Sequence, residues 1–146
     1  MEIKIRTAAS ADIPQILELY SELHPHDEAI DLNTATATFE QATCNDIVYF
    51  VADDGGRVVG TCYIAIIPNI TKQCSAIGFI ENVVTAADCR RCGIGRKLMN
   101  AAVEYAKTHG CYKAMLSSGN SRTDAHKFYE SIGFDGNSKR AFQIRF

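Results

Sequence analysis

The 146-residue chain lacks an excess of charge of either sign: 15 Lys and Arg stand against 17 Asp and Glu, for a formal net charge of -2. Its basic residues are dispersed apart from the group between Arg90 and Lys97, so no broad cationic face awaits a nucleic-acid backbone, and a nucleic acid is not expected as a partner. It lacks an apolar run of membrane-spanning length, and no membrane association is expected. Its first residues, Met1 to Thr7, alternate Ile3 and Ile5 with Glu2, Lys4 and Arg6; this is a strand pattern without the apolar centre of a signal peptide. A cytoplasmic location is the expectation. There is no internal repeat, linker or low-complexity segment. With 47% hydrophobic residues, the chain reads as one domain over residues 1–146.

Six cysteines are present, at positions 44, 62, 74, 89, 92 and 111. In a chain with a substantial apolar core and no export signal, reduced thiols are the default reading. Cys89 and Cys92 form a lone CxxC. No second CxxC or paired histidine completes a four-ligand set, so no metal is expected.

Hydrophobic periodicity orders the elements. Ile3 to Ala8 reads as a strand. Ser10 is placed to cap a helix carrying Ile13, Ile16, Leu17 and Tyr20, which should end near His24, before Pro25. A weaker helix follows over about Thr34 to Thr43. Ile47 to Ala52 and Val58 to Ile67 flank Asp53-Asp54-Gly55-Gly56, a hairpin signature. Ser75 to Thr85 is a further strand. The stripe Ile94, Leu98, Ala102 and Tyr105 marks a helix closed by Gly110. A strand over Tyr112 to Ser117, a short helix over Asp124 to Ile132 and a final strand over Ala141 to Phe146 complete the order, which predicts a mixed sheet with helices on both faces.

The densest signal is the run Arg90-Arg91-Cys92-Gly93-Ile94-Gly95-Arg96, a basic two-glycine turn leading straight into a helix. Such a turn directs unpaired N–H groups, the positive end of a helix dipole and cationic side chains at one point, where an anion such as a pyrophosphate is expected. The dinucleotide fingerprint GxGxxG would require glycine at position 98, which is Leu98, and the P-loop ending Gly-Lys-Ser/Thr is missing. Both are excluded.

Two linked motifs identify what remains. Arg90, Gly93 and Gly95 match Arg/Gln, two residues, Gly, one residue, Gly/Ala. Ala125 to Phe134 matches Ala, three residues, Tyr-Glu, two residues, Gly-Phe. In their order and spacing they resemble the GCN5-related N-acetyltransferase (GNAT) superfamily, and the opening segment with Arg6, Ala8 and Asp12 is similar as well. The resemblance implies an α/β fold with a central mixed sheet of six to seven strands, about four helices on both faces, and a splay between the fourth and fifth strands. It implies acetyl-CoA as co-substrate, held by Val83, Val84 and Thr85 along the pantetheine arm and by Arg90, Arg91, Cys92, Gly93, Ile94, Gly95 and Arg96 at the pyrophosphate. It also implies Tyr129 as the group that protonates the departing thiolate. From periodicity alone, Tyr129 reads as a core residue on the stripe Ala125, Phe128, Tyr129, Ile132.

Glu81 interrupts an apolar strand, where a carboxylate is costly unless paired or wet. The segment Ile80 to Val84 resembles the matching strand of glucosamine-phosphate and aminoalkylphosphonate acetyltransferases, where an acid lies near the acceptor amine. Glu81 is thereby a candidate base, with a rim carboxylate or structural ion pair as the alternative. Arg122 stands where many family members have an asparagine that helps hold the coenzyme. His126 reads as a surface helix residue, and the loop His24-Pro25-His26-Asp27-Glu28 falls where the family lines its acceptor cleft. The expectation is an N-acetyltransferase acting by direct transfer to a small primary amine. The sequence leaves open whether the chain is a monomer or a homodimer.

Overall fold

A computed structural model describes all of residues 1–146. Five strands form one sheet in the order β1 (Ile3–Thr7), β2 (Ile47–Asp54), β3 (Arg57–Ile67), β4 (Ala76–Thr85) and β5 (Cys111–Met115). The first three pairings are antiparallel and β4–β5 is parallel. The helices are α1 (Ile13–Leu23), α2 (Leu32–Thr43), the four-residue turn α3 (Thr71–Cys74), α4 (Ile94–Thr108) and α5 (Thr123–Ser131). In α3, Lys72 and Gln73 have left-handed φ and ψ, so this turn is not a right-handed helix.

Alternation along the strands sorts the faces. Phe50 contacts Tyr105 of α4 while its neighbour Tyr49 contacts Phe39 of α2, so α4 covers one face and α2 the other. The core lies under α4, where Ile94, Leu98, Met99 and Ala102 are buried with Cys62, Ile64 and Ile80 of the sheet. At Gly78 an added Cβ would come within 3.0 Å of Ile64 and 3.2 Å of Ala106, so glycine there lets α4 lie close to the sheet. The β2–β3 turn has Gly55 at φ +61° and Gly56 at φ +100°, the two positive values that a tight two-residue hairpin requires.

Two expectations are corrected. Ser10 caps nothing: it opens a 3-10 turn, Ser10–Asp12, and the Asp12 carboxylate accepts the Ala9 N–H at 2.8 Å. Asp12 is held in turn by both terminal nitrogens of Arg6 at 2.8 Å, and Arg6 Nε reaches Asp53 at 2.9 Å. That network ties the entry of α1 to the β1–β2 pair. The second correction concerns Ala141 to Phe146, which form no strand. The sheet therefore has five strands rather than six or seven, since residues 141–146 make no backbone hydrogen bond to any strand.

Candidate active site

Strand β4 pairs with β5 only from Ala76 to Phe79. Beyond that point Ile80 to Thr85 have no strand neighbour on that side. Within this unpaired half, β4 carries a bulge: Val84 lies opposite Thr61 and Glu81 opposite Tyr63, so Asn82 and Val83 together face Cys62. Asn82 adopts φ +52°. Asparagine tolerates this left-handed conformation better than most residues, and the bulge turns the backbone around Val83 out of register with β3.

The open strand leads through a 3-10 turn, Ala87–Cys89, into the basic glycine turn. No backbone N–H from Arg91 through Arg96 donates a hydrogen bond within the chain; the first bond of α4 runs from Lys97 N–H to the Gly93 carbonyl at 3.1 Å. Six successive donors thus stand free at the positive end of a 15-residue helix. The two glycines serve different purposes. Gly93 takes φ +76°, and a Cβ there would meet nothing within 4 Å, so it shapes the turn and leaves its mouth open. Gly95 instead makes room for α5, since a Cβ there would come within 3.2 Å of Phe128 Cζ.

The cationic side chains also separate. Arg90 is tied back, with Nε 3.4 Å from the Thr85 carbonyl and Nη2 4.0 Å from Glu22. Arg96 reaches Ser131 at 3.4 Å. Arg91, at φ +63°, is exposed and makes no ion pair or side-chain hydrogen bond. Ile94 and Val84 bury their side chains in the core, so only their backbone groups face a ligand. Val83 and Thr85 are half-buried on the open strand.

Tyr129 is 9% exposed, packed between Phe128 and Phe134 at ring separations of 5.2 and 6.2 Å, and its hydroxyl makes no hydrogen bond within the chain. Burial raises its pKa above the ordinary phenol value; the positive charge of Arg122 opposes the rise, and Cys62 and Glu81 add to it. A phenol is protonated at neutral pH in any case, as a proton donor must be, and burial makes loss of the proton harder still. Glu81 is half-buried and has no ion pair. It lies opposite Tyr63, which lies opposite Tyr49, and the Tyr49 and Tyr63 rings are 5.1 Å apart, with Phe39 5.1 Å beyond Tyr49. An aromatic wall with one free carboxylate at its end suits an ammonium-bearing molecule.

The cysteines form no disulfide. All six are free thiols, and no cluster of three or more His, Cys, Asp or Glu side chains is arranged for a metal. Cys89 is buried and Cys92 exposed. Burial pushes the Cys62 thiol up to about 12, which keeps it protonated. His126 contacts the Gly119 carbonyl at 2.8 Å. The bulge at Asn82 and the aromatic pair Tyr49 and Tyr63 were not read from the sequence. An asparagine within an apolar strand was the available signal for the bulge, whereas the aromatic wall depends on strand register.

This open mixed sheet, with a free N–H turn after its half-paired fourth strand, is matched among known proteins by acetyltransferases. The chain matches the acetyltransferase (GNAT) family over residues 13–134. It belongs to that family and is an N-acetyltransferase. It is 28% identical over 142 residues to glucosamine 6-phosphate N-acetyltransferase of Trypanosoma brucei brucei, covering 96% of this chain and 94% of the relative. It is 29% identical to glucosamine 6-phosphate N-acetyltransferase 1 of Oryza sativa subsp. japonica, covering 90% and 80% respectively. Among solved structures, a putative acetyltransferase from Agrobacterium tumefaciens superimposes with a TM-score of 0.94 at 40% identity, covering 99% of this chain and all of the other. No helix is long and apolar enough to cross a membrane.

Proposed function

We propose that this chain, acting as one domain, transfers the acetyl group of acetyl-CoA directly to the primary amine of a small molecule. The reading is supported by three features together: the free N–H donors of the turn that follows the open strand, the buried Tyr129 phenol on α5, whose neighbour Phe128 packs against Gly95 of that turn, and the Glu81 carboxylate on the open strand, which has no ion pair. Acetyl-CoA supplies an activated thioester. The N–H groups from Arg91 to Arg96, with the Arg91 side chain, hold its pyrophosphate, and the open edge from Val83 to Thr85 pairs with the amide-rich pantetheine arm as an added strand would. Backbone N–H at the bulge near Val83 polarises the thioester carbonyl. Glu81 accepts a proton from the incoming ammonium through water, and Tyr129 donates one to the leaving thiolate. The aromatic wall beside Glu81 favours a cationic acceptor, and the names of the two curated relatives make glucosamine 6-phosphate the first amine to assay.

The test is coenzyme A release measured over a panel of amines, with the Tyr129→Phe variant alongside. This change keeps the packing on Phe128 and Phe134 and removes only the hydroxyl. The expected result is turnover on at least one amine, with kcat lowered by about 10²–10⁴-fold in the variant and acetyl-CoA affinity changed by less than about threefold. Tight acetyl-CoA binding without turnover on any amine would instead identify a coenzyme-binding module.

A further inference from the structure

Two side chains of α1, seven residues apart and so on one face of the helix, reach backbone groups at the margin of the sheet. Gln15 accepts the Val58 N–H at 2.8 Å and donates to the Gly56 carbonyl at 3.2 Å. Glu22 accepts the Ala87 N–H at 2.8 Å. Ala87 opens the 3-10 turn that carries the open strand toward the glycine turn. Glu22 also stands in the last turn of α1, where the negative end of the helix dipole disfavours an acid. Helix formation alone gives no reason for a carboxylate there.

The same carboxylate lies 4.0 Å from Nη2 of Arg90. The other polar contact of the Arg90 side chain is that of its Nε with the Thr85 carbonyl, at 3.4 Å. Both distances are long for such contacts, whereas the bond from Ala87 to Glu22 is short. Glu22 is therefore fixed without help from Arg90, and Arg90 is held loosely. The Arg90 side chain is 58% exposed, so packing does not prevent it from turning. The free N–H groups of the turn begin at the very next residue, Arg91. A pyrophosphate held by them carries more negative charge than one carboxylate and offers a guanidinium a bidentate partner.

We infer that Glu22 is a positioning residue for the coenzyme: it anchors the exit of the open strand through Ala87 and parks Arg90 beside the pyrophosphate turn, so that carboxylate and anion compete for one guanidinium. This rests on the proposed pyrophosphate cradle. When the anion arrives, Arg90 turns from Glu22 to the phosphates, and the Thr85 carbonyl on the open edge is released at the same moment. When coenzyme A leaves, Glu22 takes Arg90 back. The carboxylate thereby lowers affinity for the coenzyme and favours its release, while its bond to Ala87 keeps the turn in place.

Titration calorimetry with acetyl-CoA on the full chain, together with thermal unfolding, tests this. Glu22→Gln retains an oxygen to accept from Ala87 and removes only the charge. It should tighten acetyl-CoA binding by about 2–5-fold at low salt, the range of an exposed ion pair, and the gain should vanish at about 0.5 M salt. Arg90→Gln should weaken binding by about tenfold through loss of a charged hydrogen bond. Adding Glu22→Gln to Arg90→Gln should then change nothing further. Gln15→Ala, which loosens α1 at its other tether, should lower the unfolding temperature without moving the affinity. Unchanged or weakened binding in Glu22→Gln, undiminished binding in Arg90→Gln, or an equal gain from Glu22→Gln in the Arg90→Gln background would overturn the inference. The last result would leave only direct repulsion between carboxylate and phosphate. No association of acetyl-CoA with the wild-type chain would remove the coenzyme reading itself and this inference with it.

Discussion

Replacing Gly93 with alanine isolates the backbone conformation of the glycine turn from its packing. The added methyl meets no atom within 4 Å, so its effect is confined to holding an L-residue at φ +76°, which costs about 1–2 kcal/mol. Folded stability should fall by up to that amount, or roughly 2–8 °C in Tm for a chain of this size. Relaxation of the strain rotates the N–H groups of Gly93 and Ile94 away from their common focus, weakening acetyl-CoA binding by about 5–30-fold. Gly95→Ala is the control. Its helical position favours alanine by about 0.8–1 kcal/mol, but the methyl presses on Phe128, the neighbour of Tyr129. It should leave acetyl-CoA affinity within about threefold while lowering kcat by roughly tenfold through displacement of the phenol. Titration calorimetry with acetyl-CoA, thermal unfolding and steady-state kinetics read the three quantities. Unchanged affinity in folded Gly93→Ala, together with lost affinity in Gly95→Ala, would refute the assignment of the turn as the pyrophosphate cradle.

Other perturbations have distinct signatures. Glu81→Gln should lower kcat/KM for the amine by roughly 10²-fold at neutral pH, with the deficit shrinking as pH rises and more amine arrives unprotonated; a pH-independent deficit would rule out proton acceptance. Asp12→Ala breaks a pair with one buried and one partly exposed partner and should cost about 1–2 kcal/mol, between the values for exposed and buried pairs, because Arg6 keeps Asp53 and water. Hydrogen bonding from Arg6 holds the Asp12 carboxyl below its ordinary value, so its contribution is complete above the usual carboxylate range and is lost as pH falls through the depressed value; denaturant titrations of wild type and variant should converge in acid. Cys92→Ser should leave turnover within about twofold, since this exposed thiol lies outside the reacting centre; loss of activity would revive a redox role for the Cys89 and Cys92 pair.

Local chemistry was enough to place many elements. Gly55-Gly56 can only be a tight turn between two apolar strands, and the stripe from Ile94 to Tyr105 can only bury one helix face, so both were legible without any knowledge of the neighbours. The glycine turn was legible too, because unpaired donors at a helix start follow from backbone geometry alone. The division of labour inside it was not. Arg90 and Arg91 are adjacent and chemically identical, yet Glu22, distant in sequence, engages one and leaves the other free. Gly95 read as a point of ligand approach, whereas its missing side chain accommodates Phe128 from a helix about thirty residues further on. Glu81 was visible as an anomaly, but its place at the end of the Tyr49–Tyr63 wall depends on register across three strands.

The sequence by itself determined the order of elements, the anion-seeking turn and the candidate pair Glu81 and Tyr129, because propensity, periodicity and turn chemistry act between residues close along the chain. Tertiary structure alone decided the bulge at Asn82, the burial of Tyr129 and the unpaired state of residues 141–146. Each of those depends on what lies alongside: a partner strand one residue short, a hydrophobic enclosure, or an edge that no segment of the same chain occupies.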